Sequence, residues 1–118
     1  MTVEATREIL SCVPRRLAEW RVAEDGRVVA ERPRPTTSGL RGAWDHLRWL
    51  MSHPRIRFDE LGSHVWCEMD GAATVAEIAA STSAAFPDRS ESMAERVALF
   101  ATALHHQGLI ELRVSLED

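Results

Sequence analysis

Apolar and charged residues alternate strictly over residues 18–22, near the start of the chain. A second apolar stretch, residues 28–30, follows after the pair Asp25-Gly26. Strict alternation is typical of a strand that buries one face, and glycine readily adopts the positive φ that a tight turn requires. The pattern therefore predicts a β-hairpin over residues 17–32, with Trp20 on the face that turns toward the core.

Helical spacing follows this hairpin. Four apolar residues recur at spacings of four, three and four and share one face of a helix; they are Leu40, Trp44, Leu47 and Met51. We expect Trp44 either to pack in the core or to form an interface. Residues 36–54 thus contain a predicted helix. A shorter helix is predicted over residues 2–12, and Pro14 then interrupts it.

The second half of the chain carries helix-capping residues in front of three apolar stripes. Asp59 lies where a side chain can accept the free N–H groups of a helix start. Thr74 and Glu77 have the spacing of a capping box, and so do Ser92 and Glu95. Three consecutive helices are therefore predicted in this half.

Two short strands flank those helices. Residues 55–58 alternate basic and apolar side chains, and residues 110–114 alternate apolar and charged ones. The predicted order is helix, two strands, helix, strand, three helices, strand. A small sheet packed on a three-helix cluster is the economical way to bury these faces, and Trp66 is expected in that core.

Composition and charge refine this picture. A chain of 118 residues with 45% apolar and 27% charged residues predicts one globular domain over residues 1–118. Residues 1–57 hold eleven Arg against seven acids, a net charge of +4, whereas residues 58–118 hold three Arg against eleven acids, a net of −8. The basic half can attract an acidic peptide, but a mixed surface explains the asymmetry equally well.

Motifs for catalysis or metal binding are missing from the sequence. It contains no G-x-S-x-G, P-loop or dinucleotide fingerprint, and Cys12 and Cys67 form no C-x-x-C pair. His105 and His106 are neighbours on a predicted helix and point about 100° apart, so they chelate a metal poorly. We expect a non-catalytic protein with no metal and no cofactor.

Signals for export or membrane insertion are missing as well. The first residues lack the basic start and apolar run of a signal peptide. No apolar stretch approaches the about 20 residues that span a bilayer. The sequence therefore predicts a cytoplasmic protein with reduced thiols and no membrane contact.

Several segments in the second half together resemble the PqqD-like family of peptide-recognition domains. They are RFDELGSHVW at residues 57–66, MDG at 69–71, TVAEI at 74–78 and GLI at 108–110, with an apolar helix face before the last. Each segment alone is common, whereas all of them in this order with short links are moderately specific. The resemblance covers roughly residues 55–112, about half of the chain.

The resemblance implies an α+β fold of winged-helix type, in which a small three-stranded antiparallel sheet is followed by three helices. It also implies a RiPP recognition element. Such a chaperone binds the leader region of a ribosomally made precursor peptide and presents it to a modifying enzyme, often a radical SAM protein. In this family the peptide adds a strand to the sheet edge and lies against the third helix.

This chain departs from the compact family pattern in two places. Residues 1–14 are an N-terminal extension, and residues 36–54 insert a helix between the second and third strands of the family sheet. Either segment could cover the peptide groove, dock on a partner or form a homodimer contact. These additions put the binding mode in question more than the fold.

The resemblance implies that residues 55–58 form the edge that receives the peptide. The two apolar side chains should face the helices, and the two arginines could pair with acidic peptide residues, although a solvated sheet edge explains them equally well. On the last helix, Leu99 and Ala103 form an apolar strip beside the core face. Such a strip is expected to be buried by a peptide or by another contact. The predicted peptide-binding residues are Arg55, Ile56, Arg57, Phe58, Arg96, Leu99, Phe100 and Ala103.

Two other functions are compatible with the pattern. A winged helix can enter the major groove of DNA, but residues 70–104 hold two arginines against five acids, and phosphate contacts need a basic face. We therefore expect no nucleic-acid partner. The second alternative is a structural subunit that docks on an enzyme through the helix that carries Trp44.

Overall fold

The structure is a computed structural model that describes residues 3–31, 39–51 and 55–114. Within them the fold is mixed α+β, with five α-helices and two small antiparallel sheets. The helices are α1 (Val3–Leu10), α2 (Gly39–Met51), α3 (Glu60–Glu68), α4 (Val75–Ala85) and α5 (Met93–His106). The strands are β1 (Cys12–Arg16), β2 (Trp20–Val22), β3 (Val28–Glu31), β4 (Arg55–Arg57) and β5 (Ile110–Val114).

The predicted hairpin and the short strand before the helices form one three-stranded sheet, in the order β2-β3-β4. Neighbouring strands are antiparallel, and the register places Ala30 between Trp20 and Ile56. Gly26 closes the hairpin turn with a φ of 84°. The predictions of the hairpin and of the strand at residues 55–58 are confirmed.

Three helices follow the sheet, as predicted, and two of the predicted caps are present. Asp59 Oδ1 accepts a hydrogen bond from Gly62 N at 2.8 Å at the start of α3. Thr74 Oγ1 accepts from Glu77 N at 3.1 Å, while the Glu77 carboxylate accepts from Thr74 N at 2.9 Å. These bonds satisfy N–H groups that a helix start leaves unpaired. The element order matches the one that the resemblance implies, and the winged-helix arrangement itself stays a prediction.

The capping box predicted for Ser92 and Glu95 is wrong. Ser92 has φ 56° and ψ 28°, in the left-handed region, and its side chain makes no capping hydrogen bond. A serine or threonine caps a helix from an extended backbone, as Thr74 does with φ −74° and ψ 162°. The chain reaches α5 through a 3₁₀ turn at Pro87–Arg89, so the spacing of a capping box is present without its backbone conformation.

The core lies between the three-stranded sheet and α3–α5. Trp66 has no exposed surface, and its ring centroid lies 5.3 Å from that of Phe58 and 6.4 Å from that of Trp20. This confirms its predicted packing. Trp20 also faces the core but stays 38% exposed, because β2 is an edge strand. Other fully buried large side chains include Val28, Val65, Met69, Val75, Ile78, Val97, Leu109 and Ile110.

β1 and β5 form a separate two-stranded sheet. The predicted strand at residues 110–114 is confirmed, but its partner β1 is not expected from the sequence, since a proline normally marks an interruption. Pro14 is instead buried within β1, opposite Leu112. Its carbonyl accepts from Gly71 N at 3.0 Å, so β1 also holds the loop that follows α3.

Side chains of β1 attach this sheet to the rest of the fold. Arg16 Nη1 donates to the carbonyl of Trp66 at 2.8 Å and to that of Cys67 at 2.9 Å, and so caps the last turn of α3. Arg15 Nε donates to the Glu111 carboxylate of β5 at 2.5 Å. The predicted N-terminal helix is confirmed as α1, which contacts α4 and α5.

The predicted helix of the insertion is confirmed as α2. Residues 36–38 and 52–54, at either end of the predicted insertion, lie outside the described residues. The expectation that Trp44 packs in the core is wrong, because its side chain is exposed.

Candidate functional site

β4 lies at one edge of the three-stranded sheet. Directly after it, Phe58 N donates to Val28 O of β3 at 2.9 Å. Successive residues of an antiparallel strand direct their backbone N–H and C=O groups to opposite sides. The backbone N–H and C=O groups of Ile56 therefore also point toward β3. The N–H and C=O groups of Arg55 and Arg57 therefore point away from β3, toward a free edge, with which no other described strand pairs.

The apolar side chains at this edge face the helices, as expected. Phe58 is buried, and Ile56 is half-buried against the core. The ring centroid of Phe58 lies 5.5 Å from that of Phe100 on α5, in an edge-to-face arrangement. This contact joins β4 to α5, the two elements on which the sequence places the candidate site.

The two arginines of β4 already have acidic neighbours in the same sheet. Arg57 Nη2 is paired with the Asp25 carboxylate of the hairpin turn, and Arg55 Nε lies 3.8 Å from Glu31 Oε1 of β3. All four side chains are exposed to solvent by more than a third, and exposed ion pairs contribute little to stability. An acidic peptide would therefore have to exchange with these partners rather than meet free arginines.

Asp25 and Glu31 are residues of the site that sequence reasoning misses. The pattern assigns Asp25 to the turn alone. The signal that could have found Glu31 is the register: Glu31 lies opposite Arg55 in the ladder, and opposite charges on directly opposed strand positions attract each other.

The apolar strip on α5 is present on the surface. Leu99 is 52% exposed and Ala103 is exposed, while Phe100 between them is half-buried. Arg96, at one end of the strip, donates from Nη1 to the carbonyl of Arg89 at 2.9 Å. The strip thus lies on the helix that carries Phe100, the ring that contacts the end of β4.

Gly62 lets α3 approach this ring pair. A Cβ at position 62 would lie 2.9 Å from Asp59 Oδ1, 3.3 Å from Phe58 Cβ and 3.4 Å from Phe100 Cζ. The first distance is shorter than real contacts, and the other two are tight. A larger residue here would disturb both the cap of α3 and the contact between β4 and α5. The sequence gives no signal for this role beyond a glycine inside a predicted helix.

Titratable groups with shifted pKa values lie around β1, away from β4. The hydrogen bond from Arg15 holds the pKa of Glu111 below its ordinary range. Backbone hydrogen bonds, above all from Ala72, lower the pKa of Asp70. Burial, followed by the nearby Glu8 charge, raises the pKa of the Cys12 thiol. These shifts follow from structural contacts of the β1–β5 sheet and do not single out a reactive group.

The histidines and cysteines show no clustered chemistry in the described part of the chain. No group of three or more His, Cys, Asp or Glu residues there could hold a metal ion. Both thiols are free, with Cys67 exposed and Cys12 half-buried. His105 Nδ1 lies 3.4 Å from the carbonyl of Ile110, which places it at the junction between α5 and β5.

Comparisons with known proteins bear on the same part of the chain. No curated protein and no solved structure matches the chain. None of the helices in the described ranges is long and apolar enough to cross a membrane. The family described as coenzyme PQQ synthesis protein D (PqqD) matches residues 49–110, which include β4 and α3–α5. Because this match extends over just more than half of the chain, the protein belongs to the PqqD family, whose members are accessory proteins of peptide modification.

Proposed function

We propose that this protein captures the leader region of a ribosomally made precursor peptide by strand addition and presents it to a modifying enzyme. The observation that carries the proposal is the free edge of β4, where the backbone groups of Arg55 and Arg57 point outward. The apolar strip of Leu99 and Ala103 lies on α5, the helix that the end of β4 contacts through Phe100. Membership of the PqqD family supports a peptide as the ligand.

The edge provides at most four backbone hydrogen bonds, two from each outward-facing residue. At about 1 kcal/mol net each, these bonds contribute about 4 kcal/mol. One apolar anchor buried on the strip adds about 1.5–3 kcal/mol. A micromolar Kd corresponds to about 8 kcal/mol, and ordering the peptide lowers the sum further. We therefore expect a second anchor or ion pairs to contribute to binding.

An acidic peptide can compete for the two arginines of β4. Arg57 and Arg55 hold Asp25 and Glu31 in exposed pairs that cost little to separate. A peptide carboxylate beside the added strand can take the place of either acid. Such exchange between exposed charges weakens as salt is added, so the affinity should fall with ionic strength.

The modifying enzyme is the second partner in this proposal. Proteins of the PqqD family act with modifying enzymes in PQQ-like systems. In this scheme the chain itself binds and orients the peptide, while the partner, for which a radical SAM protein is the expected class, carries out the chemistry. The proposal places this step in the cytoplasm, where the precursor is made.

A synthetic leader peptide from a precursor encoded next to this gene tests the proposal. The Kd of the labelled peptide is measured by fluorescence anisotropy. Leu99→Asp and Arg57→Glu should each raise this Kd about tenfold or more relative to the wild type. The matched control is Val114→Asp, at an exposed position of β5, which should bind like the wild type. If Leu99→Asp and Arg57→Glu both fold and bind normally, the proposed groove is wrong.

Amide hydrogen exchange followed by NMR tests strand addition itself. Binding should slow exchange at the N–H groups of Arg55 and Arg57, because the added strand accepts from them. The amide of Ile56 faces β3 and serves as the internal control, since it should change much less. Unchanged exchange at both arginines in the saturated complex would contradict strand addition at β4.

A further inference from the structure

α2 exposes the apolar face that its sequence predicts. Its four apolar residues are 80%, 61%, 47% and 74% exposed, in the order Leu40, Trp44, Leu47 and Met51. A surface helix normally turns such a face toward the core. A contiguous apolar face left in water is typical of an interaction site.

The buried side of α2 is the opposite one. Gly42 is buried, whereas its neighbours Arg41 and Ala43 are exposed. At 3.6 residues per turn, Gly42 lies about 180° around the helix from the middle of the apolar face. The side of α2 that carries Gly42 is therefore the less accessible one, and the apolar face is the exposed one.

The exposed face also needs a cover for energetic reasons. α2 has 13 residues, and an isolated helix of about this length is marginal in water. Helices in proteins gain most of their stability by packing an apolar face. The face of α2 stays open in the described part of the chain, so an outside partner would complete its packing.

The spacing and the charges of α2 indicate the kind of partner. Spacings of four, three and four are those of the a and d positions of a heptad, the seam along which two helices pack. Arg41 and Arg48 then both fall at e positions, on one flank of the seam, and both are exposed. Residues at e and g select a partner by charge, so this flank favours a helix with acidic residues beside its own apolar seam.

Other occupants match this flank less well. Two α2 helices packed antiparallel would place the e-position arginines against each other, and packed in parallel they would place them against Ala43 and Leu50 at g. A helix that lies on an anionic bilayer is rich in Lys and Arg on its polar face, whereas α2 carries two arginines against one acid, Asp45. Charge complementarity thus favours a helix of another protein over a second copy or a membrane.

We infer that α2 is a docking site for an amphipathic helix of a second protein, with an apolar seam flanked by Asp or Glu. This site consists of other residues than the β4 edge and the strip on α5. It stands independently of the proposed peptide capture.

The probe for this site is a synthetic helical peptide with leucine at its a and d positions and glutamate at e and g. A matched peptide carries glutamine in place of glutamate. Titrated with the full chain, the labelled glutamate peptide should bind about tenfold more tightly than the glutamine peptide. Leu47→Glu and Trp44→Asp should each weaken binding about tenfold or more, without changing the circular dichroism spectrum, since both side chains are exposed.

Two further variants make the test specific. The double variant R41E/R48E should reverse the preference, toward a matched peptide with lysine at e and g. Leu99→Asp, which alters the strip on α5, should leave binding of the helical probe unchanged. Failure of this inference and failure of peptide capture are therefore distinguishable.

Three results would overturn the inference. Equal binding of the glutamate and glutamine peptides, or no binding of either, would remove the acidic helix as the occupant. Dimerisation in sedimentation velocity that Leu47→Glu abolishes would make a second copy the occupant. Sedimentation with phosphatidylglycerol vesicles, lost in the same variant, would make a bilayer the occupant.

Discussion

The two sheets of this protein are both small and antiparallel, yet they are connected to the fold in different ways. The β1–β5 sheet is bonded to its surroundings through Arg16 at the end of α3 and through the Pro14 carbonyl at Gly71. The β2-β3-β4 sheet packs one face on the core, but its β4 edge has outward backbone groups and exposed ion pairs. The first sheet is bonded through β1 to α3 and to the loop after it, and the second sheet has outward-pointing backbone groups at Arg55 and Arg57.

This difference predicts that different residues determine the stability of the fold and its affinity for the peptide. Small domains are marginally stable, so a strand edge can stay open only where the rest of the chain is held by other contacts. Changes in the β1–β5 sheet should therefore alter the free energy of unfolding, and changes at β4 should alter peptide affinity with little effect on stability.

The largest effect on stability is expected from the truncation of a buried side chain in the β1–β5 sheet. Ile110 of β5 is 1% exposed, and Ile110→Ala should lower the free energy of unfolding by about 2–5 kcal/mol, because it removes buried methyl groups and leaves a cavity. Val114→Ala, in the same strand but at an exposed position, should stay within about 0.5 kcal/mol. Urea unfolding measures both. A small effect for Ile110→Ala would mean that β5 unfolds separately from the core.

Local signals explain which elements the sequence predicts correctly. The hairpin depends on alternation around Gly26, and the caps at Asp59 and Thr74 depend on residues three positions apart. β1 could not be predicted this way, because its partner β5 lies far along the chain and Pro14 argues against a strand. The spacing at Ser92 misleads, since the spacing of a capping box does not determine φ.

The candidate site shows the same limit. The direction of the side chains of β4 follows from alternation alone, and the structure agrees. The ion pair of Arg57 with Asp25 joins residues 32 positions apart, which the folded hairpin and β4 bring together. Periodicity identifies the apolar face of α2 but does not say what that face contacts, and the face points outward.

An intermediate effect is expected from matched arginine substitutions in the two sheets. Arg16→Met keeps the aliphatic part of the side chain but removes the donor to the carbonyls of Trp66 and Cys67, and should cost about 1–3 kcal/mol. Arg57→Met removes only an exposed ion pair and should stay within about 0.5 kcal/mol, while it weakens peptide binding. Equal losses of stability in urea unfolding would contradict the division between the sheets.

The smallest effect is expected from pH, through the ion pair of Arg15 and Glu111. The pKa of Glu111 in the folded state lies below its ordinary value of 4.5, so the unfolded chain takes up the proton first as the pH falls. The carboxylate therefore stabilises the fold above about pH 4.5, and this contribution is lost as the pH falls through the folded-state pKa. At neutral pH the wild type should have a slightly higher Tm than Glu111→Gln, by less than the effect of Arg16→Met.

Tm measurements at several pH values distinguish the contribution of this ion pair from those of the ion pairs in the β2-β3-β4 sheet. The Tm difference between the wild type and Glu111→Gln should shrink below pH 4.5 and should also shrink in high salt, because both side chains are partly exposed. Glu31→Gln is the matched control on β3, where the longer 3.8 Å pair with Arg55 should contribute less to the Tm at neutral pH. A Tm difference for Glu111→Gln that stays constant from neutral to acid pH would show that the Glu111 side chain stabilises β5 by packing rather than by its charge.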